Sequence, residues 1–399
     1  MAGFPIVSRA IEGQRLPNEL LMHVITFLEP AEGQFLTASH ETTRTLMALM
    51  RTCKSGNAAA SPIFARHCVY LDSEDRTLRF SRCLALAASV LEPPHQSPFG
   101  SISAIFMESF LQFETEHLSI LAVVQKESED DDAGDEEDES SSSDYVPVPT
   151  PHPELQDLPV AVAVRDIFLA VAPTLKRLII NIPLRSLWPE DDELGARALL
   201  RTGFEALINL EEFVSVQDEL FLITSNELPS DEVEVWAKYW PNLRRLYLYD
   251  KFLEDAFWQD VMGCPQLDSV ILGRPDGNHI SEPADIKRDW ISTLAGHRVG
   301  GNVYRGAIRP LTVIIFDMDG EHCPITGFNS AWETLDPDER IRVRYAKAPP
   351  IDLALNSDIA EDEASPRDSV HVWVRKHAFA GTLWCESEIE AYNPLSGNE

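Results

Sequence analysis

A repeated pattern of apolar and polar residues runs through the second half of the chain. Each unit has an amphipathic stretch at helical spacing, two apolar anchors separated by two residues, and an alternating β-branched or aromatic run. The clearest anchor pairs are Leu175/Leu178, Leu210/Phe213, Leu243/Leu246 and Leu267/Val270, after helices predicted over 160–171, 193–206, 231–239 and 253–262. The pattern predicts an α/β fold in which helices and strands alternate.

Weaker strand-like copies follow at residues 311–316, 341–345 and 370–374. Successive anchor leucines, from Leu175 to Leu311, are 35, 33, 24 and 44 residues apart. This irregular spacing resembles a degenerate leucine-rich-repeat solenoid with loop insertions. The resemblance implies stacked strand–helix units, each covering the bare face of its neighbour. A globular α/β domain whose strands merely follow helices is the alternative.

The N-terminal 16–71 region contains two apolar blocks. Residues 16–28 start with Leu-Pro-Asn-Glu-Leu-Leu and continue with apolar residues at helical spacing. Residues 46–71 contain a leucine-rich helix, Thr52-Cys53-Lys54 and a His-x-Val-x-Leu segment. Together these 56 residues resemble an F-box of the fungal type, which implies a docking surface for the Skp-type adaptor of a cullin-based ubiquitin ligase. The adaptor-binding residues that this resemblance implies are Leu16, Pro17, Leu20, Ile25, Leu28, Thr52, Cys53 and Lys54. A generic helical bundle is the other interpretation.

An acidic segment divides the chain. Residues 127–144 hold 11 carboxylates and no basic residue, and prolines follow, so we expect 127–157 to be a disordered insert. Ser128 and Ser141 each have an aspartate three residues later, which makes them phosphorylation candidates, although a solvated spacer explains the segment equally well.

These patterns together predict the organisation of the chain. It has a flexible N-terminus (1–15), the F-box-like helical module (16–71), the start of the repeat region (72–126), the acidic insert (127–157), the solenoid (158–390) and a flexible tail (391–399).

Composition narrows the functional classes. The net charge is −32, from 65 acidic and 33 basic residues, which disfavours nucleic acid and anionic membranes as partners. The six cysteines lack paired spacing, the N-terminus lacks a signal-peptide pattern, and no apolar run reaches 18 residues. We therefore expect a soluble cytoplasmic or nuclear protein with reduced thiols, no cofactor and no metal.

One segment resembles a catalytic motif. An apolar strand at 311–316 runs into Asp317-x-Asp319, as in the nucleophile loop of haloacid-dehalogenase-like phosphatases. Glu321 departs from that family's pattern, and only 80 residues follow Asp319. A solenoid strand that runs into an acidic loop explains the same residues, so we expect no enzymatic activity.

A candidate substrate-binding surface follows from strand alternation. If Leu246 and Leu248 face the core, then Arg245, Tyr247 and Tyr249 face outward, and tyrosine and arginine dominate binding hot spots. We therefore interpret the chain as the substrate-recognition subunit of a Skp/cullin/F-box ubiquitin ligase, acting in ubiquitin-dependent protein degradation. The adaptor, and through it a cullin, would bind the F-box, and a protein substrate would bind the repeats. An adaptor-independent interaction scaffold is the alternative.

Overall fold

A computed structural model of the chain describes residues 17–90, 101–110, 155, 157–225, 232–274, 285–299, 310–317, 330–347 and 366–385. Leu16, Ser128, Ser141, Asp319, both predicted flexible ends and nearly all of the acidic insert lie outside these residues.

Eleven helices lie within the described residues. They are α1 (Asn18–Phe27), α2 (Glu41–Thr52), α3 (Lys54–His67), α4 (Glu74–Val90), α5 (Leu158–Val171), α6 (Ala196–Glu205), α7 (Val235–Tyr239), α8 (Asp255–Gly263), α9 (Ile286–Val299), α10 (Ser330–Leu335) and α11 (Pro366–Ala380). None of these helices is long and apolar enough to cross a membrane.

Eight strands in the described part of the chain form one parallel sheet. They are β1 (Tyr70–Leu71), β2 (Ala104–Met107), β3 (Arg177–Ile180), β4 (Glu212–Ser215), β5 (Arg245–Tyr249), β6 (Ser269–Gly273), β7 (Leu311–Asp317) and β8 (Ile341–Lys347). Their order in the sheet is their order along the chain. A doubly wound domain would change direction within the sheet and place helices on both faces. The predicted alternation of helix and strand is confirmed, and the architecture is a solenoid-like α/β fold.

The repeat helices pack on one face of the sheet, which we call the convex face. Leu246 and Leu248 of β5 join a core cluster with residues of α4 to α9. The cluster includes Trp236, Trp240 and Trp258, all fully buried. Trp240 also donates its indole N–H to the carbonyl oxygen of Phe204 at 2.8 Å, which links α6 to the segment after α7. The predicted inward orientation of Leu246 and Leu248 is confirmed.

The other face, the concave face, is covered by α11. Val370, Trp373, Val374 and Ala378 share one cluster with concave-face residues of the strands. The prediction of a strand at 370–374 is therefore wrong. Residues 370, 373 and 374 have the i, i+3, i+4 spacing of a buried helical stripe, but the alternation His-Val-Trp-Val is also typical of a strand.

The helix α11 crosses the strands. At the middle of the helix, Trp373 contacts Phe316 of β7, with ring centroids 4.6 Å apart. Near its end, Phe379 contacts Phe106 of β2 at 4.9 Å. A helix of 15 residues is about 22 Å long, and the five strand spacings from β2 to β7 add up to about 24 Å. One helix is thus long enough to cover the centre of the face.

The N-terminal helical module is joined to the end of α11. The Phe35 backbone N–H donates to the Phe379 carbonyl at 2.6 Å, and Arg177 donates to the Gly33 carbonyl. Gly33 and Gly381 both have positive φ, and a Cβ on Gly381 would lie 2.5 Å from the Gly33 carbonyl carbon. Two glycines are therefore needed where the backbones meet. We call this contact the clasp.

Gly273 lies where the concave face is most tightly packed, so a substitution there tests that packing. A Cβ at this position would overlap the Tyr247 hydroxyl and lie 2.8 Å from the Tyr249 ring. We expect Gly273→Ala to lower the free energy of unfolding by about 1–3 kcal/mol, the usual cost of overpacking. Urea denaturation measures this. The matched control is Gly263→Ala in α8, whose Cβ meets nothing closer than 4.0 Å. Equal urea midpoints for the Gly273→Ala and Gly263→Ala variants would contradict close packing of Tyr247 and Tyr249 against Gly273.

Candidate protein-binding site

The helix α1 packs one side into the N-terminal module. Pro17 precedes its first turn, where a missing N–H costs no hydrogen bond, and its carbonyl accepts the Leu21 N–H at 3.1 Å. Leu21 and Ile25 are buried in a cluster with Leu46, Ile63 and other residues of the module. This apolar stripe explains why the segment folds as a helix in this orientation.

A second apolar stripe on α1 is exposed. Leu20, Val24 and Phe27 are 51%, 47% and 76% exposed. At 3.6 residues per turn, these three side chains fall within an arc of about 60°. Exposed apolar residues that cluster in this way are typical of protein-binding surfaces. We call Leu20, Val24 and Phe27 the α1 stripe.

The structure separates the predicted adaptor-binding residues into two groups. Leu20 belongs to the α1 stripe, and Pro17 and the Thr52-Cys53-Lys54 turn are exposed. Leu28 is half-buried. Ile25, at 2% exposure, packs inside the module, so it is one of the predicted residues that face the module's own core. Val24 and Phe27 were missed, although their spacing from Leu20 is visible in the sequence.

The turn between α2 and α3 is held by local hydrogen bonds. Cys53 is the N-cap of α3, and its sulfur accepts the Gly56 N–H at 3.3 Å. This bond lowers the pKa of the exposed Cys53 thiol. Thr52 donates its hydroxyl to the Leu49 carbonyl at 2.7 Å. The predicted Thr52-Cys53-Lys54 turn is therefore a fixed, exposed part of the module.

The predicted substrate-binding residues occupy the expected face, but two of them are buried. Tyr247 and Tyr249 point to the concave face, opposite to Leu246 and Leu248, as the alternation predicts. Both are nevertheless fully buried, because α11 lies over them. The prediction that their side chains are exposed is wrong. Only Arg245 remains accessible, with 44% of its side chain exposed and an ion pair to Glu212 at 3.3 Å.

Two rows of alternating charge lie at the amino ends of the strands. In one row, Lys176 pairs with Glu211 at 2.7 Å and Arg244 pairs with Asp268 at 2.9 Å. In the other row, Arg177, Glu212 and Arg245 are aligned by the strand register. This alternation of charge is visible in the sequence. The two residues inside successive anchor pairs are Lys-Arg, Glu-Glu, Arg-Arg and Asp-Ser, so their charge changes sign from one strand to the next.

These rows form one wall of a groove of about 660 Å³. The other wall belongs to the helical module, where Arg66 pairs with Glu29 at 3.0 Å. His67 donates its Nδ1–H to the Gln34 carbonyl at 2.6 Å, and burial lowers the pKa of this histidine. Arg177 and His67 were not predicted as site residues, because the groove exists only once the module has docked on the sheet.

A buried charge network lies near the carboxyl ends of β4 and β5. Arg185 bonds Glu219 at 2.6 Å and Asp250 at 2.5 Å, and Lys251 bonds Glu219 at 3.2 Å. Asp218 accepts backbone N–H groups from Arg185 and Glu219, both at 2.7 Å. The network connects the segments that follow three strands.

The residues that suggested catalytic or metal chemistry can be located only in part. No group of three or more histidine, cysteine or acidic residues there could hold a metal ion. Asp317 is the last residue of β7 and lies opposite Lys347 in the strand register. Its proposed partner Asp319 lies outside the described residues. The five described cysteines are free thiols.

Comparison of the chain with protein-family models, with curated proteins and with solved structures gives no match. The functional argument therefore depends on the residues and geometry described above.

Asp218 and Asp260 predict a pH dependence of stability. Burial, the largest cause, raises the pKa of each from 3.8 to about 7, and Glu234 adds repulsion at Asp260. Between about pH 4 and pH 7, the folded chain keeps protons that the unfolded chain has released. The contribution of these two groups to the free energy of unfolding therefore falls as the pH rises through this range.

We expect Asp218→Asn to reduce this slope, measured as the difference between melting temperatures at pH 5.5 and pH 8. The control is Asp166→Asn, which removes a half-exposed carboxylate paired with Arg165. An unchanged slope in Asp218→Asn would show that the pKa of Asp218 is not raised.

Proposed function

We propose that the chain is a substrate-recognition subunit of a Skp/cullin/F-box-type ubiquitin ligase, with an F-box in residues 16–71 and leucine-rich-repeat-like units in the solenoid. The observation that carries this proposal is the α1 stripe. Leu20, Val24 and Phe27 are exposed on a helix whose other apolar side already forms the module's core. Each of these side chains would contribute about 1.5–3 kcal/mol to the binding free energy if a partner buried it completely.

The arrangement of the module supports the same proposal. The α1 stripe and the Thr52-Cys53-Lys54 turn both belong to the helices that carry the F-box resemblance, and both are accessible. The clasp and a 3.3 Å hydrogen bond from the Ser103 backbone N–H, just before β2, to the Ala65 carbonyl in α3 fix the module against the sheet. An adaptor bound to the module would then hold the solenoid in a defined orientation. Such a subunit acts by proximity, since it raises the local concentration of a bound target near the transferring enzyme.

Adaptor capture by the α1 stripe is the test. We expect Leu20→Ala/Phe27→Ala to weaken binding of a purified Skp-type adaptor at least tenfold, which corresponds to about 1.4 kcal/mol. Titration calorimetry measures the affinity. Thermal melting should change little, because both side chains are exposed.

The matched control is Met22→Ala. Met22 is also exposed, at 46%, but its position is about 200° around the helix from Leu20. This variant should bind as tightly as the natural chain. Adaptor binding that is equal in the double variant and the natural chain would rule out the α1 stripe as the docking site. No binding by the natural chain would favour the adaptor-independent scaffold.

A further inference from the structure

We propose that α11 is an internal ligand of the concave face, and that the target of this protein is a basic, amphipathic helix that replaces it. The proposal rests on the proposed function only where it identifies that helix with a ligase substrate. The surface itself is defined by the concave-face cluster, which α11 covers.

The buried residues of α11 belong to one cluster. Val370, Trp373, Val374 and Ala378 contact the concave side of the sheet and take part neither in the convex-face core nor in the core of the helical module. The convex-face core and the core of the helical module therefore do not include α11. Displacement of α11 would open the clasp and expose the concave face, but it would leave these two cores intact.

The contacts of α11 show which ligand the face accepts. Its apolar residues lie at positions i, i+3, i+4 and i+8, the spacing of a helix that docks into a groove. The second position is a tryptophan, whose ring packs at a tilt of 48° against the ring of Phe316. Arg375 adds a cation that bonds Glu108 at 3.2 Å and the Tyr70 hydroxyl at 3.0 Å. A competing ligand therefore needs an aromatic anchor and a basic residue at the equivalent positions.

The cover leaves polar groups unsatisfied. The Tyr247 hydroxyl and the Asn181 side-chain oxygen are buried on the concave side without a hydrogen-bond partner among the described residues. The Trp384 indole N–H, just after α11, is in the same condition. Each such group has lost its hydrogen bonds to water on burial without gaining one from the protein. A target helix that offered an acceptor to Tyr247 would bind this face better than α11 does.

Charge favours the same kind of ligand. The chain carries a net charge of −32, so its long-range field attracts cations and speeds the encounter with a basic helix. Because α11 is part of the same chain, it competes at a high effective concentration. Only a ligand that exceeds this internal competition would remain bound, which adds selectivity.

A peptide exchange experiment tests the proposal on the full chain. The probe is a fluorescent peptide of residues 366–385, and binding is measured by anisotropy. Val374→Asp in the full chain should loosen α11, and we expect this variant to bind the peptide at least tenfold more tightly than the natural chain. Lys376→Asp, which alters the exposed side of the same helix, should bind the peptide as the natural chain does. A peptide that itself carries Val374→Asp should not bind.

A Val374→Asp chain that is folded by circular dichroism and does not bind the peptide would overturn the proposal. If that variant does not fold, hydrogen exchange on the natural chain decides. We expect the α11 amides to exchange through an opening of lower free energy than the β5 amides. Equal opening free energies would show that α11 is an inseparable part of the core. Neither measurement involves the adaptor, so failure here is distinct from failure of the proposed function.

Discussion

The structure depends on a sheet that is apolar on both faces. Strands of a parallel sheet alternate their side chains, and here both sets are apolar: Leu246 and Leu248 on the convex face, Tyr247 and Tyr249 on the concave face. The repeat helices can cover only one of these faces. A second cover is required, and α11 supplies it. The helical module then docks where this cover ends, so the position of the module follows from the need to bury the concave face.

Local patterns predicted the repeating part of the fold well. The anchor pairs placed β3 to β6 because each strand is short, apolar and preceded by an amphipathic helix, and these are properties of adjacent residues. The same reasoning gave a wrong prediction at 370–374, because the apolar pattern of these residues fits both a strand and a helix. The choice between strand and helix depended on contacts with a sheet face whose strand β2 begins 266 residues earlier, from Ala104 to Val370.

Some features of the candidate site could be predicted from local sequence patterns, and others could not. The α1 stripe could be predicted from spacing alone, because Leu20, Val24 and Phe27 follow the helical period. The burial of Tyr247 could not, since alternation gives the face of a side chain but not what covers that face. The groove beside Arg177 depends on contacts between residues 144 positions apart, such as the Arg177–Gly33 hydrogen bond. Single-sequence patterns contain no information about such pairs.

The late position of α11 in the chain has a consequence for the order in which the chain folds during synthesis. Phe106 enters the growing chain 273 residues before its contact Phe379. At a ribosomal rate of roughly 5–20 residues per second, this interval lasts on the order of 14–55 s. During that time the early strands carry an uncovered aromatic surface, and long-range contacts of this kind also slow folding itself. The newly made chain is therefore a natural client for chaperones that bind exposed apolar segments, and a chain that ends before α11 would keep that surface exposed.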